Sequence, residues 1–287
     1  MPRKGVRSLQ ALQKGCATGA NWQVIVTLRS YKITRDAGRA RDCFKMYSMT
    51  IRARTIDYRD GDNDLQGVLC LDDAVQGPRP CVLVAHTWRG RSEFEEGKAG
   101  ELARLGYSGF ALDLFGKGIL GGSIEENRAL IKPFMDDRAL LQRRMQLAVE
   151  RVREQDEVDA SRIAAIGFCF GGLCVLDLAR SGAAVNGVIS FHGLLTAPGN
   201  TQSNRILAKV LVMHGWDDPM ATPEYLVALG HELTKMQADW QVHAYGNTMH
   251  AFTNPAANNP EFGTVYQPDA DRRSWQAMQV FLNEVFA

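Results

Sequence analysis

The sequence predicts an α/β fold, a doubly wound and mostly parallel sheet of about eight strands with helices on both faces. Three observations carry that expectation. Apolar β-rich runs alternate with helical patterns from residue 51 to the C-terminus. After the first two, the runs are continuously apolar, as in strands covered on both faces. A glycine-rich segment, Gly167-Phe168-Cys169-Phe170-Gly171-Gly172, joins one such run directly to a helical pattern.

In chain order, Ile51–Tyr58 and Leu65–Leu71 read as an opening hairpin across the polar cluster Asp60-Gly61-Asp62-Asn63. Buried strands are expected at Cys81–Ala85, Ser108–Leu112, Ile163–Ile166, Gly187–Phe191 and Val210–Met213, and an alternating edge strand at Trp240–Tyr245. Apolar residues at helical spacing place helices over Phe94–Leu105, Leu140–Val152, Leu173–Ala179, Tyr225–Met236 and Trp275–Val285. Leu120–Asp137 and the Asn/Pro/Gly-rich Asn254–Asp269 read as long loops.

The 287 residues carry a formal net charge of +1, which conceals two unlike parts. Residues 1–48 hold ten basic side chains (Arg3, Lys4, Arg7, Lys14, Arg29, Lys32, Arg35, Arg39, Arg41, Lys45) and two acidic ones (Asp36, Asp42), a net of +8. The rest therefore carries −7. The first part also lacks a sustained apolar period, having one short run, Trp22–Leu28. It reads as a basic extension, disordered or upstream of the true translation start, because Met46 and Met49 directly precede the first strand. A transit peptide and a basic arm for a polyanion are the other readings of such a segment. Residues 49–287 are expected to form one domain.

An acidic domain offers no footprint for nucleic acid, and no run approaches the roughly 18 apolar residues of a membrane span. A cytoplasmic protein with reduced thiols is expected, since Cys16, Cys43, Cys70, Cys81, Cys169 and Cys174 form no CxxC pair. The partner expected is a small molecule, and the chain is expected as a monomer or small homo-oligomer.

The glycine-rich segment has the G-x-S-x-G pattern of a nucleophile elbow, with Cys169 in the serine position. A tight strand-to-helix turn leaves no room for side chains at Gly167 and Gly171. It also exposes the sulfur at the carboxyl end of the sheet, where a helix N-terminus favours negative charge and so lowers a thiol pKa. On such a fold the nucleophile needs an acid and then a histidine later in the chain. His214-Gly215-Trp216-Asp217-Asp218-Pro219 supplies the acid beyond a buried strand, with Asp218 preferred to Asp217 because it sits next to Pro219 after the turn. Tyr245-Gly246-Asn247-Thr248-Met249-His250 supplies the imidazole after the next strand. His250 would take the Cys169 proton, and Asp218 would orient and charge-stabilise the His250 ring.

With these motifs in order, residues 49–287 resemble the dienelactone hydrolase family of α/β-hydrolases. The likeness rests on Val84-Ala85-His86, Ala111-Leu112-Asp113-Leu114-Phe115-Gly116-Lys117, the Cys169 elbow, the His214–Pro219 segment, and Tyr245-Gly246 with His250-Ala251-Phe252. The resemblance implies a Cys169–His250–Asp218 triad that hydrolyses a small carboxylic ester or lactone through a thioester, without metal or cofactor. It also implies an oxyanion hole made of the Trp88 and Phe170 backbone N–H groups.

Two departures bear on substrate. Thr87 stands where the family commonly has a Glu that pairs with the resting thiol. Of two arginines that hold a substrate carboxylate, one position is Lys117 and the other is Asn254, so a less charged ester or lactone is expected. The aromatics beside the motifs, Trp88, Phe115, Phe168, Phe170, Trp216 and Phe252, fit a pocket wall or the core. Phe115, Trp216 and Phe252 are the substrate-binding candidates together with Lys117.

His86, His192 and His214, at strand ends near the site, read as hydrogen-bonded structural residues, with a site-lining role as the other reading, and His231 and His243 read as surface residues. No histidine pair has metal-ligand spacing. The alternative to a hydrolase is a catalytically idle scaffold that binds a ligand or partner, which Thr87 and Asn254 would fit. A thiol sensor pairing Cys169 with Cys174 is a third reading, disfavoured by their placement on one elbow and helix.

Overall fold

A computed structural model describes residues 50–201 and 204–287. The basic extension assigned to residues 1–48 lies outside the described residues. Strands β1 (Ile51–Asp60) and β2 (Asn63–Asp72) form the opening antiparallel hairpin. Strands β3 (Arg79–Ala85), β4 (Ser108–Ala111), β5 (Val158–Phe168), β6 (Gly187–Phe191), β7 (Lys209–Gly215) and β8 (Trp240–Tyr245) complete an eight-stranded sheet of order β1-β2-β4-β3-β5-β6-β7-β8. β2 runs antiparallel to β1 and β4, and every other neighbouring pair is parallel. The chain lays β4 on one side of β3 and then β5 on the other. That reversal opens a crevice at the carboxyl ends of the strands.

Helices α1 (Glu93–Arg104), α2 (Ile124–Asp136), α3 (Arg138–Arg153), α4 (Phe170–Arg180), α5 (Pro223–Lys235) and α6 (Pro268–Val285) cover both faces. Alternate side chains of each strand serve different cores. From β3, Cys81, Leu83 and Ala85 pack with Phe134 of α2, Leu141 of α3, Leu173 of α4 and Leu229 of α5. Val82 and Val84 face the other way, toward Leu102 of α1 and Met278 and Phe281 of α6. Neither face meets water, which is why these strands read as unbroken apolar runs.

Two expectations about loops are corrected. Residues 120–137 contain α2, which starts with a capping box: Ser123 Oγ accepts from the Glu126 N–H, and the Glu126 carboxylate accepts from the Ser123 N–H. Its apolar stripe is short, Asn127 and Phe134 being its buried residues, and Pro133 sits near its end, so no sustained period marked it. Residues 254–269 hold a two-stranded hairpin, β9 (Asn258–Asn259) and β10 (Thr264–Val265), and the start of α6.

All of α4 is buried, so its polar side chains need partners. Arg138 of α3 donates two hydrogen bonds of 2.7 Å to the Asp177 carboxylate. Arg180 donates to Asp177 at 3.2 Å and to Glu232 of α5 at 2.7 Å. The network ties the helix that carries the elbow to its two neighbours. Asp177→Asn leaves the buried Arg138 guanidinium without a carboxylate, while Arg180 keeps Glu232, and is expected to cost about 3 kcal/mol. Urea denaturation measures it; an unmoved midpoint would mean the network contributes nothing.

Candidate active site

The parallel register sets the site. Ala85 pairs with Gly167, Phe168 with Phe191, Phe191 with Met213, and Gly215 with Tyr245. The segments that follow β3, β5, β6, β7 and β8 therefore leave the sheet at one edge, around a cleft of about 1090 Å³.

After β5 the chain turns at Cys169, whose φ of 57° and ψ of −116° are strained for a residue with a Cβ. Such a conformation costs on the order of 1–3 kcal/mol and persists only where the surroundings hold it. Here the Cys169 N–H donates to Phe191 O at 3.1 Å and to His192 Nδ1 at 3.2 Å. A Cβ on Gly167 would lie 2.0 Å from Gly171 O, and one on Gly171 would lie 2.1 Å from Ala85 O. Both obstacles are backbone, so glycine is required at these positions as the sequence implied. The sulfur stands on the cleft wall at the N-terminus of α4.

His250 and Asp218 meet beside it. His250 Nδ1 and Asp218 Oδ2 are 2.7 Å apart, and both side chains are buried. Asp218 Oδ1 accepts from the Met220 N–H at 2.8 Å, which fixes the carboxylate. Asp217 is exposed, and Asp218 is the carboxylate that faces His250. The His250 backbone is clamped by β10: its N–H donates to Gly263 O, and its carbonyl accepts from Val265 N. Its Nε2 is buried without an aligned hydrogen bond among the described residues, and the ring feels the Cys169 sulfur mainly as charge. Burial pulls the His250 pKa down, but the Cys169 charge and the Asp218 carboxylate outweigh it and raise the pKa to about 10.

Trp88 and Phe170 both line the cleft. Among the described residues, neither backbone N–H donates to another protein group. The Trp88 ring stacks on Phe262, centroids 5.9 Å apart. Its loop is held by Glu95, whose fully buried carboxylate accepts from the N–H groups of Thr87 (3.1 Å) and Ser92 (2.9 Å) and from the Ser92 hydroxyl (2.7 Å). In the sequence Glu95 stands among the acidic residues Glu93, Glu95 and Glu96, and the signal of its role is Ser92-x-x-Glu95, a capping-box pattern.

The other histidines divide. His86 is structural, placed between Thr87 O at 2.7 Å and the Leu114 N–H at 3.1 Å. His214 is buried with both ring nitrogens unpartnered among the described residues, contrary to the hydrogen-bonded role expected of it. Burial lowers its pKa and keeps it neutral. His192 lines the cleft and lies 5.1 Å from His250, centroid to centroid. Cys174 is buried inside α4, where burial pushes its thiol pKa up, a poor partner for an exchange with Cys169.

The four substrate-binding candidates do not line the cleft. Lys117 lies beyond the Gly116 turn and pairs with Asp57 of β1 at 3.2 Å. Phe115 packs into the core beneath, its ring 4.5 Å from that of His86. Phe252 points inward against His192 and Tyr245, and Trp216 stands out into solvent from the β7–α5 turn. The apolar part of the wall is instead made by Trp88, Leu120, Ile131, Leu194, Met220 and Phe262, drawn from separate loops and α2, and the charged Arg89, Glu93, Arg128 and Glu261 line the cleft beside them.

A solved dienelactone hydrolase-like promiscuous phosphotriesterase from metagenomic libraries is 38% identical, with a TM-score of 0.77 over 83% of this chain and 99% of that one. A dienelactone hydrolase from Anabaena variabilis, 19% identical with a TM-score of 0.56 over 80% of this chain and 98% of that one, shares the fold. A Bradyrhizobium protein named a probable 2-oxo-3-(5-oxofuran-2-ylidene)propanoate lactonase is 24% identical over 218 residues, 72% of this chain and 85% of that protein. The family model for dienelactone hydrolases matches residues 65–286. With that match spanning the elbow, the acid and the histidine, the chain belongs to the dienelactone hydrolase family of carboxylic ester and lactone hydrolases.

Proposed function

We propose that this cleft hydrolyses a carboxylic ester or lactone through an acyl-enzyme on Cys169, with His250 as acid and base and Asp218 as its orienting carboxylate. The observation that carries the reading is the 2.7 Å His250–Asp218 hydrogen bond set against the strained Cys169 elbow. With His250 protonated, the Cys169 sulfur attacks as thiolate and bonds to the carbonyl carbon. The C=O π pair moves onto oxygen, stabilised by the Trp88 and Phe170 N–H groups. Collapse breaks the bond to the leaving oxygen, which takes the proton from His250. Water then attacks the thioester and gives a proton to the now neutral His250. Loss of the acid regenerates thiolate and imidazolium.

The cleft lining sets Arg89 and Arg128 against Glu93 and Glu261, a formal balance of charge, and Lys117 is diverted to Asp57, which together favour a substrate with an uncharged body. Asn254 replaces the second cation, and its Oδ1 is already engaged by the Ala256 N–H at 3.0 Å. A panel of aryl esters and small lactones tests the proposal. Turnover of neutral members above the carboxylate-bearing ones is expected. No turnover of any member would leave the cleft as a binding site alone.

A further inference from the structure

The hydrogen bonds around His192 leave one donor unspent. His192 Nδ1 faces the Cys169 N–H at 3.2 Å and so presents a lone pair there, because a proton on that nitrogen would oppose another. The ring is fully enclosed, and burial together with the neighbouring His250 charge holds its pKa well below the ordinary value, which excludes the doubly protonated form. Its single proton is therefore on Nε2 and points at Thr253 Oγ1, 2.8 Å away. Thr253 accepts that bond, and its own hydroxyl proton finds no acceptor among the described residues. The side chain is 2% exposed, yet it forms part of the cleft wall, three residues beyond His250. A hydroxyl confined in this way has cleft contents as its remaining outlet.

We propose that Thr253 is a specificity-determining residue, whose hydroxyl donates to an oxygen acceptor on the substrate other than the scissile carbonyl. The substrate class is then an ester or lactone with an alkoxy or oxo oxygen in its acyl or alcohol part. The inference rests on the hydrolase reading and narrows it.

Two isosteric pairs test it, each exchanging one CH2 for O: p-nitrophenyl butanoate with p-nitrophenyl methoxyacetate, and n-butyl acetate with 2-methoxyethyl acetate. After correction for intrinsic hydroxide reactivity, Thr253→Val is expected to lower the oxygen-over-methylene ratio of kcat/KM by about tenfold in at least one pair. Thr253→Ser, which keeps the donor, restores that ratio. A purely structural role for Thr253, supporting the His192 ring, would slow both members of a pair equally. Unmoved ratios in both pairs would overturn the proposal. Only turnover that Cys169→Ala abolishes is counted, so an unmoved ratio tells against Thr253 alone. Equal turnover by wild type and Cys169→Ala would remove the hydrolase reading and this proposal with it.

Discussion

Cys169→Ala is expected to lower kcat/KM for activated aryl esters by about 10⁴-fold or more, as loss of a nucleophile does where a catalytic set acts as a unit. The fold should survive, because the sulfur stands at the cleft wall rather than in either core. Alanine keeps the Cβ, so the strained backbone at φ 57° is no worse accommodated than before. Residual activity well above this, with an unchanged urea midpoint, would mean that the thiol is a bystander on a glycine-rich turn. Cys169→Ser separates position from chemistry. A hydroxyl at the same place is a much weaker nucleophile without an ion pair to ionise it, so a deep loss is expected there as well.

The second large effect concerns Asp218. Its carboxylate bonds His250 Nδ1 at 2.7 Å and is one of the groups that raise the imidazole pKa to about 10. A raised pKa means that the imidazolium persists to higher pH than a free histidine, whose value is about 6.5. In the proposed acylation step the imidazolium delivers a proton to the leaving oxygen, so kcat/KM should fall on the alkaline side as His250 loses that proton, near pH 10. Asp218→Asn removes the charge and can present N–H to Nδ1. It should move the alkaline limb downward in pH and reduce kcat by about 10³–10⁴-fold. An alkaline limb that stays in place in Asp218→Asn would break the assigned link between acid and base.

Much of the fold and of the placement of the candidate site residues was legible in the sequence, because local sterics dictate them. Gly167 and Gly171 are fixed by backbone atoms close to where their Cβ atoms would stand, so the elbow announces itself wherever a strand must turn into a helix. Strand ends carry Cys169, Asp218 and His250 to one edge through a parallel register that the apolar runs already implied. The pocket wall was not legible. Trp88 meets Phe262 only because a hairpin distant in sequence folds back over the cleft, and Ile131 belongs to a helix whose short apolar stripe escaped notice. Adjacency to a motif misled in the other direction: Phe252 and Lys117 neighbour site segments in sequence, yet one turns into the core and the other toward β1. Thr253 bonds His192, 61 residues away in the sequence, a partner that emerges only in three dimensions.

The proposed reaction passes through a covalent intermediate on one sulfur. p-Nitrophenyl trimethylacetate has a good leaving group and a hindered acyl group, which favours fast acylation over slow hydrolysis of the thioester. Mixed with excess of this ester and quenched in acid, the protein should carry one trimethylacetyl group, and peptide mapping should find it on Cys169. Steady hydrolysis with no acylated protein, or with the acyl group on another residue while Cys169 stays free, would contradict the account.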